Sequence, residues 1–194
     1  MGASTLISAG YLAIMEHSHA EDEWGTTAHL NAYRILPWLI NSGSNTLLDY
    51  GAGKGSFKNA PEMQGYTVHE YDPAIPKISK SPAPCGFVVC IDVLEHVEPE
   101  CLRSVMEDLK RVGINEGYFI ISLVPAYLTL IDGRNAHIML REASWWENFV
   151  GQYFKITGFR PFGLKSGVSY PWPDGRYPYA NVHINVKPLG AQDD

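Results

Sequence analysis

Apolar residues in this chain come in two rhythms. Short apolar runs read as strands at Thr46–Asp49, Tyr66–Tyr71, Phe87–Ile91 and Tyr118–Val124. The run Phe87-Val-Val-Cys-Ile91 is continuous rather than alternating, as expected of a strand covered on both faces. Between these runs the spacing changes to helical. Leu102, Val105, Met106, Leu109 and Val112 repeat at three and four residues, behind an opening Pro99-Glu100 and ahead of a stop at Gly113. Residues 5–16 and 28–40 also read as helices, with Pro37 arguing for a break or kink in the second. Ser144-Trp-Trp-Glu147 has the pattern of a capping box and predicts a helix carrying Trp145, Trp146, Phe149 and Val150. Lys155–Phe162 and Ala180–Lys187 read as two final strands, with an aromatic loop between them holding Tyr170, Trp172, Tyr177 and Tyr179. Strands alternating with helices predict an α/β fold built on a mostly parallel sheet.

Composition narrows this picture. Hydrophobic residues make up 45% and charged residues 19% of 194 residues, the balance of a globular domain with a sizeable core. A net charge of -6 lacks the basic footprint of a long nucleic-acid partner. No apolar run approaches the roughly 18 residues of a transmembrane helix, so no membrane partner is expected. Cys85, Cys90 and Cys101 form no C-x-x-C pair and read as buried reduced thiols. With no basic stretch in the first residues to mark a secretory signal, a cytoplasmic location is expected.

The chemistry concentrates after the first strand. Thr46-Leu-Leu-Asp-Tyr-Gly-Ala-Gly-Lys-Gly-Ser56 places Gly51, Gly53 and Gly55 at alternate positions, a tight turn that should open into a short helix from about Ser56. Glycine there lets backbone approach a ligand at the carboxyl end of a strand, where open α/β sheets bind ligands. A dinucleotide site would want G-x-G-x-x-G. The spacing here is G-x-G-x-G, and Asp49 would repel a pyrophosphate, which counts against a nicotinamide cofactor. Asp72, about 20 residues after the glycines and closing the second strand, stands where an acid would bind a ribose diol; an Asp-Pro turn is its plainer reading.

The pattern hhDxGxGxG, followed by Asp92-Val-Leu-Glu-His-Val97, resembles motifs I and IV of the class I S-adenosylmethionine-dependent methyltransferases. The resemblance runs from about Thr46 to Val124. It implies a Rossmann-like sheet with helices on both faces and an antiparallel C-terminal hairpin. One methyltransferase domain would span 1–194, with a helical lid over 1–43 and the core over 44–194. The segment 73–86 carries Pro73, Pro76, Pro82 and Pro84, too proline-rich for the helix and third strand that relatives place there. A shortened connection between strands two and four of the family pattern is expected.

By the same resemblance, Asp49, Gly51, Ala52, Gly53 and Gly55 hold the methionine part of S-adenosylmethionine, and Asp72 its ribose. Ile75 offers apolar contact to the adenine, Asp92, Val93 and Leu94 pass near the adenine and the methyl, and Trp24 and Gly25 belong to the lid. S-adenosylhomocysteine would be the product. His96 and His137 are the candidate general bases, since imidazole titrates near neutrality. The acceptor is expected to be a small molecule, oxygen favoured over nitrogen, because Asp92-Val-Leu-Glu replaces the N/D-P-P-Y/F tetrapeptide of base amino-methyltransferases. Asp92, Glu95, His96 and His137 are also similar to the E-x-x-E-H…H metal set of small-RNA 2′-O-methyltransferases and some ubiquinone-biosynthesis enzymes; a bound divalent metal is the less favoured expectation. A non-catalytic S-adenosylmethionine-binding module is the alternative from another class.

Overall fold

The computed structural model describes residues 5–20, 25–163 and 179–191. The six strands are β1 (Thr46–Tyr50), β2 (Thr67–Tyr71), β3 (Cys85–Ile91), β4 (Gly113–Ser122), β5 (Phe154–Gly163) and β6 (Tyr179–Pro188). They form one sheet in the order β2-β1-β3-β4-β6-β5. The first four are parallel, and β6 runs antiparallel between β4 and β5.

The strand alternation decides which side chains meet which helices. Leu48, Val88, Cys90, Phe119, Ile121 and Ile184 face the side covered by α3 (Leu102–Val112) and α4 (Ala143–Val150). Their neighbours Leu47, Phe87, Val89, Ile91 and Ile120 face the other side, under Ile35 and Leu39 of α2 (Ala32–Asn41). Every apolar position of the predicted α3 stripe is buried, and Trp146 of α4 is wholly enclosed. A third, smaller cluster joins Tyr11 and Met15 of α1 (Ala9–Ala20) to Ala74, Leu130 and Ala136, so α1 packs on the loops at the carboxyl ends of the strands.

The connection from Tyr71 to Cys85 is shortened as expected. It folds back on itself through Asp72 N–H to Ile78 O and Ile78 N–H to Ile75 O, and the Arg111 guanidinium fastens it by Pro82 O and Ser81 Oγ. With no strand added there, β2 is the sheet edge and β1 lies one strand in.

Several local expectations are corrected. In place of a helix from Ser56 there are two 3-10 turns, Phe57–Asn59 and Pro61–Met63. Pro61 forces Ala60 into an extended conformation (ψ 140°), which divides them. Helix α1 starts at Ala9 rather than near residue 5, because Ser8 Oγ accepts the Tyr11 N–H and caps it. Helix α2 continues through Pro37 to Asn41. Ser144 is not a cap: α4 begins at Ala143, with Glu142 at its N-cap position and no side-chain cap bond. The three cysteines are buried and free, and no helix among the described residues is long and apolar enough to cross a membrane.

Candidate active site

The turn after β1 is shaped by positive φ at Gly51 (81°), Gly53 (53°) and Gly55 (72°). At Gly51 and Gly53 close approach matters as much as the dihedral. A Cβ on Gly51 would run into the Val93 side chain, and one on Gly53 would lie 2.9 Å from Gly25 O. The turn's amides are engaged within the protein. Gly51 and Ala52 donate to Tyr71 O at the end of β2, and Gly53 donates to Asp72 Oδ2 at 3.1 Å. The turn therefore contributes shape to the site more than donors.

Asp72 makes the turn of its plainer reading and also faces the cavity. Its Oδ1 accepts the Ala74 N–H at 2.9 Å, an Asx turn, while Oδ2 holds the glycine turn and lies 3.7 Å from His19 Nε2 of α1. The carboxyl still lines a cavity of about 510 Å³ at the carboxyl ends of β1, β3 and β4. That volume lies within the roughly 300–1,000 Å³ typical of small-molecule sites. Gly51, Ala52, Gly53, Asp92 and Val93 line the same cavity, as do His96 and His137.

Other predicted residues lie elsewhere. Asp49 sits behind the turn, 1% exposed and outside the cavity lining. Burial first, then the Glu70 and Asp72 charges, push its carboxyl up to about 8, so it is neutral at pH 7. Leu94 is wholly buried against α3 in the core. Ile75 and Gly55 line a second recess on the outer side of the turn, with Lys54 and Glu70. Trp24 lies outside the described residues, as do Tyr170, Trp172 and Tyr177, whereas Gly25 does line the cavity.

On the far wall the loop after β3 meets the loop after β4. Asp92 takes a left-handed φ of 52°, rare for a residue with a side chain. Its carboxyl is open to the cavity, and desolvation by the surrounding walls raises it to about 6. Glu95 is fully buried: Oε1 accepts the Ser122 N–H at 2.7 Å, and Oε2 has no hydrogen-bond partner among the described residues. Burial, then the Asp92 charge, hold it well above the ordinary carboxylate range.

The two imidazoles are set by backbone carbonyls. His96 Nδ1 lies 2.8 Å from Ala136 O and His137 Nδ1 2.5 Å from Val124 O. A carbonyl only accepts, so both Nδ1 atoms carry the proton and each Nε2 keeps its lone pair. Burial, with His137 adding to it, lowers His96 to about 3, and burial lowers His137 as well. Asn135 braces the second loop by bonding Ala126 N and O and the His137 N–H. One donor atom each from Glu95, His96 and His137 falls within 4.8 Å of the others. Asp92 is not in that group.

The cavity also uses residues that the sequence did not single out. Tyr11, Met15 and His19 of α1 form one wall. Glu98 ties that wall down, accepting from Ser8 N (2.8 Å) and Ser8 Oγ (2.7 Å). Ser122, Val124 and Asn181 complete the lining. The signal for Glu98 was its place two residues past His96, on the same loop.

Comparison with known proteins agrees with this geometry. A family model described as a methyltransferase domain matches residues 11–163. Among solved structures, 1,6-didemethyltoxoflavin-N1-methyltransferase of Burkholderia thailandensis, with bound 1,6-didemethyltoxoflavin and S-adenosylhomocysteine, is similar at 16% identity. The match covers 97% of this chain and 93% of that one, with a TM-score of 0.61. The N-methyltransferase NodS of Bradyrhizobium japonicum WM9, in complex with S-adenosylhomocysteine, is similar at 12% identity over 94% and 100% of the chains (TM-score 0.59). Magnesium protoporphyrin IX methyltransferase of Synechocystis PCC 6803 shares 14% identity over 93% and 94% (TM-score 0.54). No curated protein matches the chain in sequence. At such identities the structures speak for the fold, and the family model covers most of the chain. The chain belongs to the methyltransferase-domain family, on the class I S-adenosylmethionine-dependent fold.

Proposed function

We propose that this enzyme transfers a methyl group from S-adenosylmethionine to a compact acceptor, with His137 as the base and oxygen the favoured acceptor atom. The observation that carries this reading is one continuous cavity running from the glycine turn and Asp72 to His96 and His137. Gly51, Ala52 and Gly53 suit the close approach of the methionine part, Asp72 has lone pairs for a ribose diol, and Asp92 and Val93 flank the remaining length. Bound there, S-adenosylmethionine supplies a methyl activated on a sulfonium.

The remaining work falls to the chain. Asp72, Asp92 and the glycine turn fix the donor side, and α1 closes the cavity from above, in keeping with a helical lid over 1–43 on a single-domain core. Orienting two reactants in this way is worth roughly 7–11 kcal/mol of barrier. His137 is neutral at working pH, and its Nδ1–H bond to Val124 O leaves Nε2 to take the acceptor's proton. A hydroxyl needs such a base at neutral pH, whereas a free amine does not, which favours oxygen although two similar structures carry N-methyltransferase names. Free, unpaired cysteines fit a cytoplasmic enzyme.

Incubating the protein with S-adenosylmethionine and a metabolite extract tests this. S-adenosylhomocysteine should form with wild type and fall at least a hundredfold with His137→Ala; equal turnover by the two would remove His137 as base. Release by neither would favour a binding module.

A second reading rests on the Glu95, His96 and His137 cluster. Glu95 Oε2 is unpartnered among the described residues, both Nε2 atoms are acceptors, and the donor spacing suits a divalent ion. The ion would have to displace the proton that burial keeps on Glu95. Turnover unchanged by EDTA, with no metal copurifying, would rule it out.

A further inference from the structure

The half of the cavity beyond the donor side has a distinctive lining. Val97, Val124, Pro125, Tyr127 and Leu128 make an apolar wall, and the wall adjoins His137, whose Nδ1 is fixed by Val124 O. The loop continues this surface outward. Tyr127 is 86% exposed and Leu128 46%, both on the cavity lining, and Ile131 a few residues on in the same loop is 65% exposed. Single exposed apolar residues are ordinary, but a cluster beside a cavity marks a place where something apolar docks.

Charge in the lining is one-sided. Among the described residues that line the cavity there is no lysine or arginine, while Asp72, Asp92 and Glu98 are all present. The histidines do not make up the difference, because burial holds His19, His96 and His137 toward their neutral forms. Arg134 stands near, 5.3 Å over the Tyr11 ring, but is paired with Asp132 and lies outside the lining. Apart from the donor's own sulfonium, an anionic acceptor entering this space would lose hydration, find no lysine or arginine among the described lining residues and meet three carboxyl groups, which is costly in a partly desolvated site.

We infer that the acceptor is an apolar, planar molecule without negative charge, a neutral hydroxy-aromatic or hydroxy-heterocycle, seated on the Val97–Val124–Tyr127–Leu128 wall with its hydroxyl toward His137. This rests on the cofactor reading above and narrows it: phosphorylated and carboxylated acceptors, including nucleotides and terminal RNA riboses, are disfavoured. Proton balance is consistent with a neutral acceptor. The acceptor oxygen gains the methyl, its hydroxyl proton passes to His137 Nε2, and the electron pair of the broken carbon–sulfur bond stays on sulfur.

The test uses the full chain in EDTA, first titrated with S-adenosylhomocysteine, then with matched probes: 2-naphthol against 3-hydroxy-2-naphthoate, and phenol against 4-hydroxybenzoate. Neutral members should bind the loaded protein at least tenfold more tightly than their carboxylated partners. Tyr127→Arg, a change at an exposed position, should narrow that gap by supplying a cation at the mouth. Carboxylated probes binding as tightly as neutral ones, or no probe binding while S-adenosylhomocysteine does, would overturn the inference. Failure of S-adenosylhomocysteine itself to bind would overturn the cofactor reading beneath it, and the inference with it.

Discussion

His96 and His137 meet edge to face, with ring centroids 4.8 Å apart, although 41 positions separate them in the chain. Each ring is turned by a carbonyl from the 124–136 stretch, Ala136 O for His96 and Val124 O for His137. The two loops beyond β3 and β4 are thereby fastened to one another at the point where proton transfer is assigned.

That geometry sets a pH profile. As the proposed base His137 would act only when neutral, and burial lowers its pKa below the ordinary 6.5. The rate should therefore hold constant from pH 8 down past 6.5, then fall as pH drops through the lowered value. A limb centred at or above 6.5 in kcat against pH would contradict this. His137→Gln should lose about 10²–10⁴ in kcat, the usual share of general-base catalysis, with little change in S-adenosylhomocysteine affinity.

Gly51→Ala should damage cofactor binding and stability together. A non-glycine residue at φ 81° costs roughly 1–2 kcal/mol, and its methyl would collide with Val93. Adding Val93→Ala should recover the steric part while leaving the dihedral part. A double-mutant cycle on thermal stability and S-adenosylhomocysteine affinity separates the two, and strict additivity would rule out the collision.

Glu98→Ala should loosen α1 without unfolding the core. Ser8 N–H and Oγ–H both donate to this carboxylate, and hydrogen bonds to charged groups contribute about 1.5–3 kcal/mol. Amide exchange across α1 should speed up by about tenfold or more, each 1.4 kcal/mol being a factor of ten. Amides of β3 should be unaffected. Equal protection of α1 in both proteins would mean that the tether carries no weight.

Asp49 gives a stability prediction with a definite sign. Its folded pKa of about 8 stands far above the roughly 3.9 of an unfolded aspartate. The folded state thus binds the extra proton, and its stabilising effect, full below about pH 4, is lost as pH rises toward 8. Asp49→Asn removes the titration, so its melting temperature relative to wild type should climb between pH 5 and pH 8. A constant difference across that range would show that Asp49 is ionised in the fold.

The sheet was legible because burial on both faces leaves a plain mark. Phe87–Ile91 is apolar at every position since its alternate side chains meet α2 on one side and α3 on the other. The missing third strand was legible too, because the prolines of 73–86 exclude it. Local sequence misled where one residue could serve two ends. Ser144 and Glu147 have cap spacing, yet the N-cap position falls two residues earlier, at Glu142; Ser8 is the working cap because Glu98, 90 positions away, holds it in place. Placement around the cavity was only partly legible for a similar reason. A motif gives residue types, but whether Asp49 and Leu94 face the ligand or the core depends on side-chain direction at the turn and the loop, which the long-range packing of Val93 on Gly51 decides.

The most direct test of the central claim is calorimetric titration of wild type and Asp72→Ala with S-adenosylhomocysteine, with NAD as the control. The account predicts saturable one-to-one binding by wild type, at least tenfold weaker binding by Asp72→Ala at unchanged secondary structure, and no heat with NAD. Binding of NAD in place of S-adenosylhomocysteine, or an Asp72 variant as tight as wild type, would contradict it.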